Sequence, residues 1–187
     1  MTLSHTDART RLLELIKELA VVHGTVTLSS GKQAEYYVDL RRATLHHEAS
    51  RLVGQVMLNL IDDAGVEFQS VGGLTMGADP VATAIIHSAQ PERNIDAFVV
   101  RKAQKSYGMG RQVEGPDVRG RNVVVLEDTS TTGASALAAV EGVRTAGGNV
   151  VAVAVIVDRD TGAKEHVERE SGVPYLFAFG KDELGLD

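Results

Sequence analysis

Residues 123–126 of this chain, Val-Val-Val-Leu, form an unbroken apolar run. β-Branched side chains that follow one another without alternation fit a strand covered on both faces, the situation of a strand inside a parallel sheet flanked by helices. The residues after the run narrow the choice. Glu127 and Asp128 stand where such a strand ends, and Thr129, Ser130, Thr131, Thr132 and Gly133 make a turn rich in hydroxyls and backbone N–H groups. From Ala134 the pattern becomes helical. Ligands of open α/β sheets bind at the carboxyl ends of strands. A helix N-terminus placed there offers unpaired donors and a favourable dipole to a phosphate. Ser and Thr are also ordinary helix caps, but one cap does not need so many donors. The stretch lacks the Gly-Lys-Ser/Thr ending of a Walker A loop, which disfavours a nucleoside triphosphate. Carboxylates accept hydrogen bonds from hydroxyls and repel phosphates. The pattern therefore points to a ligand with a phosphate at one end and sugar hydroxyls beside it.

The rest of the chain supplies the sheet and its covering helices. Thr6 or Asp7 can cap a helix running to about Val22, with Leu12, Ile16 and Leu19 as its apolar stripe and His23-Gly24 at its end. Ser29, Ser30 and Gly31 suggest a hairpin turn, and Tyr36 to Leu40 a strand. Thr44 can cap a helix whose inner face carries Leu52, Val53, Val56, Met57, Leu60 and Ile61, with Gly65 closing it. Phe68 to Val71 reads as a short strand entering a glycine-rich turn, Gly72 to Pro80, with Asp79 as N-cap and Pro80 at the first position of a helix through Ile86. Ile95 to Val100 is a further buried strand. After the 122–135 stretch come a helix over 134–145 closed by Gly147-Gly148, a long apolar strand over 150–157, a polar helix over 162–171 and a last strand over 174–179. Strands and helices alternate from residue 46 to 157. The expected fold is α/β: a doubly wound, mostly parallel sheet with helices on both faces.

Charge and composition exclude several classes. The net charge is −6, which argues against general nucleic-acid binding. There is no Cys, so disulfides, thiolate catalysis and thiolate zinc sites are out. No apolar stretch is long enough to span a membrane, and the start, MTLSHTDART, does not read as a signal peptide, so a cytoplasmic location is expected. His46, His47 and Glu48 are consecutive, point in different directions on a helix and make a poor metal site. Against this acidic background Arg101, Lys102, Lys105 and Arg111 concentrate positive charge in a glycine-bearing segment, 101–115. Such a loop suits a lid closing over a polyanion. The glycine-rich turn over 72–80 reads as a second anion site, with Thr75 and backbone N–H groups as donors. Arg159, in the charged triplet Asp158-Arg159-Asp160, can grip a carboxylate with two parallel hydrogen bonds.

Taken together, these motifs carry a resemblance. Asn122 to Ser135 resembles the phosphoribosyl-pyrophosphate (PRPP) signature of type I phosphoribosyltransferases. With the segment Leu28 to Arg42, the basic loop and Asp158-Arg159, the chain resembles the orotate phosphoribosyltransferase family over nearly its whole length. The resemblance implies a single type I phosphoribosyltransferase domain, with residues 1–45 as a small N-terminal hood and 46–187 as the core. It implies transfer of phosphoribose from PRPP to orotate, giving orotidine 5′-monophosphate and pyrophosphate, with Mg²⁺ held mainly through PRPP and not directly by the protein. Lys105, Asp128, Arg101 and Lys102 would be catalytic. Arg101, Lys102, Lys105, Glu127, Asp128, Thr129, Ser130, Thr131, Thr132, Gly133, Ala134 and Ser135 would bind PRPP. Thr131, Arg159, Tyr37 and Val38 would bind orotate, and Thr75 and Met76 would form the pyrophosphate turn. The resemblance further implies a homodimer whose lid loop is shared between subunits, with no nucleic-acid or membrane partner. The sequence departs from the family at Tyr107, where His is usual, and at Ser29 and Met76, where some members carry lysines. The alternatives are a phosphoribosyltransferase for a purine or uracil, and a PRPP-sensing regulator that keeps the fold without catalysis.

Overall fold

The structure, a computed structural model, describes residues 4–27, 33–102 and 112–186. The hairpin turn expected at Ser29 to Gly31, and Lys105, Tyr107 and Arg111 of the expected lid, lie outside the described residues.

The chain opens with α1 (His5–Leu19), capped not by Thr6 or Asp7 but by Ser4, whose Oγ accepts the Asp7 N–H at 3.2 Å. The helix stops at Leu19, short of the expected Val22. Val21 and Val22 are stiff at χ1 and sit better on a pleated surface than in a helix. They begin β1 (Val21–Thr27), which pairs antiparallel with β2 (Gln33–Val38), Val21 facing Val38. His23-Gly24 is thus part of a strand, at an irregularity between His23 and Val26 where Gly24 has φ +134°. After this hairpin come the short α2 (Arg41–Thr44) and the long α3 (Ala49–Asp63). Thr44 ends α2 and does not cap α3. His46 Nδ1 takes that role, accepting the N–H groups of Glu48 and Ala49 at 3.4 Å. Glu48 is not merely solvated, because it accepts from Arg11 Nε at 2.8 Å.

The remaining elements are β3 (Ser70–Leu74), α4 (Ala78–Ser88), β4 (Asp96–Val100), β5 (Val113–Glu114), β6 (Asn122–Ser130), α5 (Ala134–Thr145), β7 (Asn149–Asp158), α6 (Ala163–Ser171), β8 (Tyr175–Gly180) and a 3₁₀ turn, Asp182–Leu184. Six strands form one sheet in the order β5-β4-β3-β6-β7-β8, parallel except for the antiparallel pair β4–β5. Two core layers result. Val124, Leu126, Ala152, Ala154 and Ile156 pack with α1, α3 and α4 on one face. Val123, Val125, Val153, Val155 and Tyr175 pack with α5 and α6 on the other. All four residues of the 123–126 run are fully buried, each contributing about 1.5–3 kcal/mol of apolar transfer. Gly72 and Gly73, expected in a turn, lie inside β3. A Cβ at Gly72 would collide with the Phe98 carbonyl oxygen, and one at Gly73 would stand 2.8 Å from Ala78 Cβ. Gly73 lets α4 lie close to the sheet, and Gly72 lets Phe98 of β4 do so on the other face.

Candidate active site

The acid pair sits at the carboxyl end of β6. The strand runs on to Ser130, farther than the apolar run alone predicts, because Thr129 and Ser130 stay in register with Val157 and Asp158 of β7. Glu127 and Asp128 are almost wholly buried. Both carboxylates face the turn that joins β3 to α4. A Cβ placed at Gly77 would lie 2.7 Å from Asp128 Oδ1 and 2.8 Å from Glu127 Oε1, so only glycine allows that turn to close on the pair. Burial pushes Glu127 up to about 8, and the neighbouring Asp128 charge adds to the shift. Burial raises Asp128 too, opposed by the N–H of Thr129 at 2.7 Å and by the charge of Arg41. Two buried carboxyls this close do not ionise independently, and the pair holds a proton into the neutral range. Glu127 Oε2 is buried without a hydrogen-bond partner.

On the other side of the pair, Thr75 donates its hydroxyl to Asp79 Oδ2 at 2.6 Å, and its N–H is held by the Val100 carbonyl at 2.9 Å. The Thr75–Met76 peptide is cis. Helix α4 begins at Ala78 with Gly77 as N-cap, so Asp79 lies in its first turn and fixes Thr75. Met76 is exposed.

A cavity of about 270 Å³ joins these parts. Its wall includes Thr75, Met76, Gly77, Glu127, Asp128, Thr129 and Ser135 from the sheet side. Tyr37, Val38, Asp39, Leu40 and Arg41 come from the hood, and Lys102 from the base of the lid. Most of the residues singled out in the sequence are therefore brought to one place. Beyond Met76 and Arg41 a larger groove, about 840 Å³, runs between α2, α3 and α4, bordered by the exposed Leu45.

The phosphate turn is tied down from α6 and the residues before it. The Thr161 hydroxyl donates to the Thr131 carbonyl, and His166 Nδ1 donates to the Thr132 carbonyl at 2.7 Å. Thr132 Oγ1 accepts the Ala134 N–H at 3.4 Å. Gly133 has φ +76°, and a Cβ there would collide with Val167 Cγ2. With two successive carbonyls held by α6-side donors, the N–H groups of the turn and of the first turn of α5 are presented to an anion. Thr131, Thr132, Ala134 and Ser135 are exposed, whereas the Ser130 side chain is buried in β6 and its carbonyl accepts the Arg159 N–H at 3.2 Å. Ser130 thus supports the turn and does not offer its hydroxyl to the cavity.

Three further placements refine the sequence reading. The aromatic ring against Arg159 is Tyr36, 5.4 Å from its guanidinium carbon, while Tyr37 is exposed and Val38 is core. Period-two alternation along β2 puts Tyr36 and Val38 on one face and Tyr37 on the other; that signal was available in the sequence. Arg101 does not border the cavity: its Nη1 lies 3.8 Å from Glu114 Oε1, and its backbone is bonded to Gln112 at 2.9 Å. Val113 and Glu114, expected in the lid, belong to β5. His166, Thr161 and Arg41 were not singled out as site residues. The polar segments carrying the first two gave no motif, and Arg41 was hidden in a charged pair.

Among the described residues no cluster of three or more His, Asp or Glu forms a ready metal cage. The donor set is two carboxylates, which suits a hard cation that takes its other ligands from substrate phosphates and water.

Residues 43–177 match the family model described as phosphoribosyl transferase domain. Over 183 residues the chain is 64% identical to the orotate phosphoribosyltransferase of Streptomyces coelicolor, covering 97% of this chain and all of that one. Against the orotate phosphoribosyltransferase of Mycobacterium tuberculosis it is 59% identical, covering 96% and 97%. A crystal structure of the M. tuberculosis enzyme in complex with PRPP superposes with a TM-score of 0.83 at 54% identity, covering 96% of this chain and 99% of that one.

Proposed function

The chain belongs to the orotate phosphoribosyltransferase family, and on that premise we propose how its own residues carry out the transfer of phosphoribose from PRPP to orotate in pyrimidine biosynthesis. The single observation that supports the reading most is the buried Glu127–Asp128 pair. It lies between a phosphate turn on one side and the glycine-closed turn of residues 75–77 on the other.

The 5′-phosphate sits on the turn of residues 131–135, against the N-terminus of α5, with Thr129 and Ser130 supporting it from β6. Glu127 and Asp128 accept hydrogen bonds from the ribose hydroxyls. The turn of Thr75 and Met76 holds the pyrophosphate through backbone N–H groups, its shape fixed by the Thr75–Asp79 hydrogen bond. Arg159, stacked on Tyr36, orients the orotate carboxylate, assisted by Thr131; Tyr37 and Val38 border the ring. A ring nitrogen of orotate gives up its proton, which leaves with the pyrophosphate, and bonds to the anomeric carbon as that carbon's bond to the pyrophosphate oxygen breaks. Negative charge grows on that oxygen while the ribose becomes oxocarbenium-like. Lys102 and, from the lid, Lys105 stabilise the leaving group, and the buried acids face the ribose. Bound Mg²⁺ would neutralise pyrophosphate charge, with Glu127 and Asp128 as the protein carboxylates beside it and PRPP supplying most of its ligands.

Arg101 turns toward Glu114 and away from this cavity, which fits a lid that serves a neighbouring subunit. The chain acts in this reading as a homodimer, with the groove beside Leu45 and Met76 as apolar surface for the second copy. Residues 1–45 act as the hood of a single catalytic domain. No helix of the described residues is long and apolar enough to cross a membrane, and a cytoplasmic location agrees with the absence of Cys.

A PRPP-dependent fall in orotate absorbance tests the reading, run beside adenine, hypoxanthine and uracil. Turnover of orotate alone is expected; preference for another base would overturn the assignment. Mixing Lys105 and Asp128 variants and recovering activity tests the shared lid.

A further inference from the structure

Arg41 starts α2, where the hood meets the core, and borders both the site cavity and the groove beyond Met76. Its Nε donates to Asp39 Oδ1 at 2.8 Å, and its backbone N–H donates to the same oxygen at 3.3 Å. A guanidinium held along one edge keeps its outer N–H groups in a fixed fork, the geometry that grips phosphate oxygens in pairs. The side chain is 43% exposed, so it is open to a ligand, yet its charge acts on the buried Asp128.

The cavity presents a charge problem that Arg41 answers. Its wall carries three acids, Asp39, Glu127 and Asp128. The turn of residues 75–77, set against two of them, contributes Thr75, Met76 and Gly77 and no cation. A polyanion docking on that turn would face carboxylates with backbone donors alone. Among the described residues, the cations bordering the cavity are Arg41 and Lys102. Of these, Arg41 also borders the groove on the far side of Met76, with Asp79 and Pro80 of α4, so it lies alongside the 75–77 turn.

We propose that Arg41 binds the pyrophosphate end of PRPP: pinned by Asp39, it supplies from the hood the positive charge that the turn at 75–77 lacks. Asp39 is then a positioning residue, holding the fork in place. This rests on the PRPP reading above.

The test uses the full chain with Arg41→Met, Arg41→Lys and the double variant Arg41→Met/Met76→Lys. Binding of inorganic pyrophosphate and of orotidine 5′-monophosphate is measured by calorimetry with Mg²⁺ present, together with steady-state kinetics. Arg41→Met should raise the PRPP KM and the pyrophosphate Kd about tenfold or more, the loss of one charge-assisted pair. The orotidine 5′-monophosphate Kd, which has no pyrophosphate to lose, should stay within about twofold. Arg41→Lys should recover part of the loss, and Met76→Lys in the Arg41→Met background should recover part by a second route. Unchanged pyrophosphate binding, or equal weakening of both ligands, would overturn the proposal. Melting temperatures near wild type confirm that each variant folds; should Arg41→Met not fold, Arg41→Lys carries the same comparison. A wild-type chain that binds pyrophosphate but leaves orotate unconverted refutes the base assignment and leaves the Arg41 question readable.

Discussion

The two ends of the cavity are built from different materials. The phosphate end is made of backbone: the end of β6, the first turn of α5, and carbonyls held by Thr161 and His166. It rests on the sheet and is braced by the Gly133–Val167 contact. The end proposed for pyrophosphate carries side chains on attachments: Arg41 on the hood, Lys102 at the lid base, Thr75 on a turn. The reaction gives a reason. The 5′-phosphate is present in both substrate and product, so its cradle can stay closed through turnover. Pyrophosphate is released, and in the proposed reading its charge is met by side chains carried on the hood and the lid base and not by the sheet. Glu127 and Asp128 lie between, and their burial disfavours the charged carboxylates.

The comparison can be broken at several points. Asp128→Asn should lower kcat/KM on the order of 10³-fold by removing a charged acceptor from the ribose, while the melting temperature holds or rises because a buried charge is gone. A fall in melting temperature would mean that the carboxylate is structural. Lys105→Ala should reduce kcat on the order of 10²-fold, with melting unchanged, as expected of a cation acting on a leaving group; an unaltered kcat would remove the lid lysine from the mechanism. At the rigid end, Gly133→Ala forces a side chain into positive φ and against Val167. It should cost about 2–3 kcal/mol in denaturant titration and weaken PRPP binding with it. Were the phosphate cradle as yielding as the other end, stability would hardly move. His166→Ala, read through the Kd of ribose 5-phosphate, should give only about a three- to tenfold loss, equivalent to one hydrogen bond. Pyrophosphate affinity should be unaffected; a loss there would merge the two ends.

A further effect is in pH. Glu127 is raised from 4.5 to about 8 in the folded state, so between those values the native chain binds more protons than the unfolded one. Its contribution to stability is complete below about 4.5 and is lost as pH rises through about 8. Glu127→Gln should flatten that decline in melting curves taken from pH 5 to 9. An identical slope in the variant would show that the proton is not held at this pair.

Much of the fold was legible because its signals are local. Helix α5 begins at Ala134, as its pattern predicts, and the unbroken apolar run of 123–126 is the doubly covered strand that its β-branched residues imply. Readings failed where two local preferences competed. Val21 and Val22 could extend the amphipathic pattern of α1 or start a strand, and pairing with β2 decided it. Gly72 and Gly73 looked like turn residues, yet they are the means by which β3 accepts Phe98 and Ala78 at close range.

By itself the sequence determined the parallel sheet, the order of its elements and the chemistry of each motif: acids, then donors, then a helix. These depend on residue type, periodicity and spacing along one stretch of chain. Only the tertiary structure decided which motifs share a wall. Gly77 against the acid pair, His166 under the phosphate turn, Tyr36 beneath Arg159 and Arg41 across from Asp128 join segments far apart in the chain. Such meetings are set by strand register and by the packing of helices on the sheet, and local pattern carries no record of them.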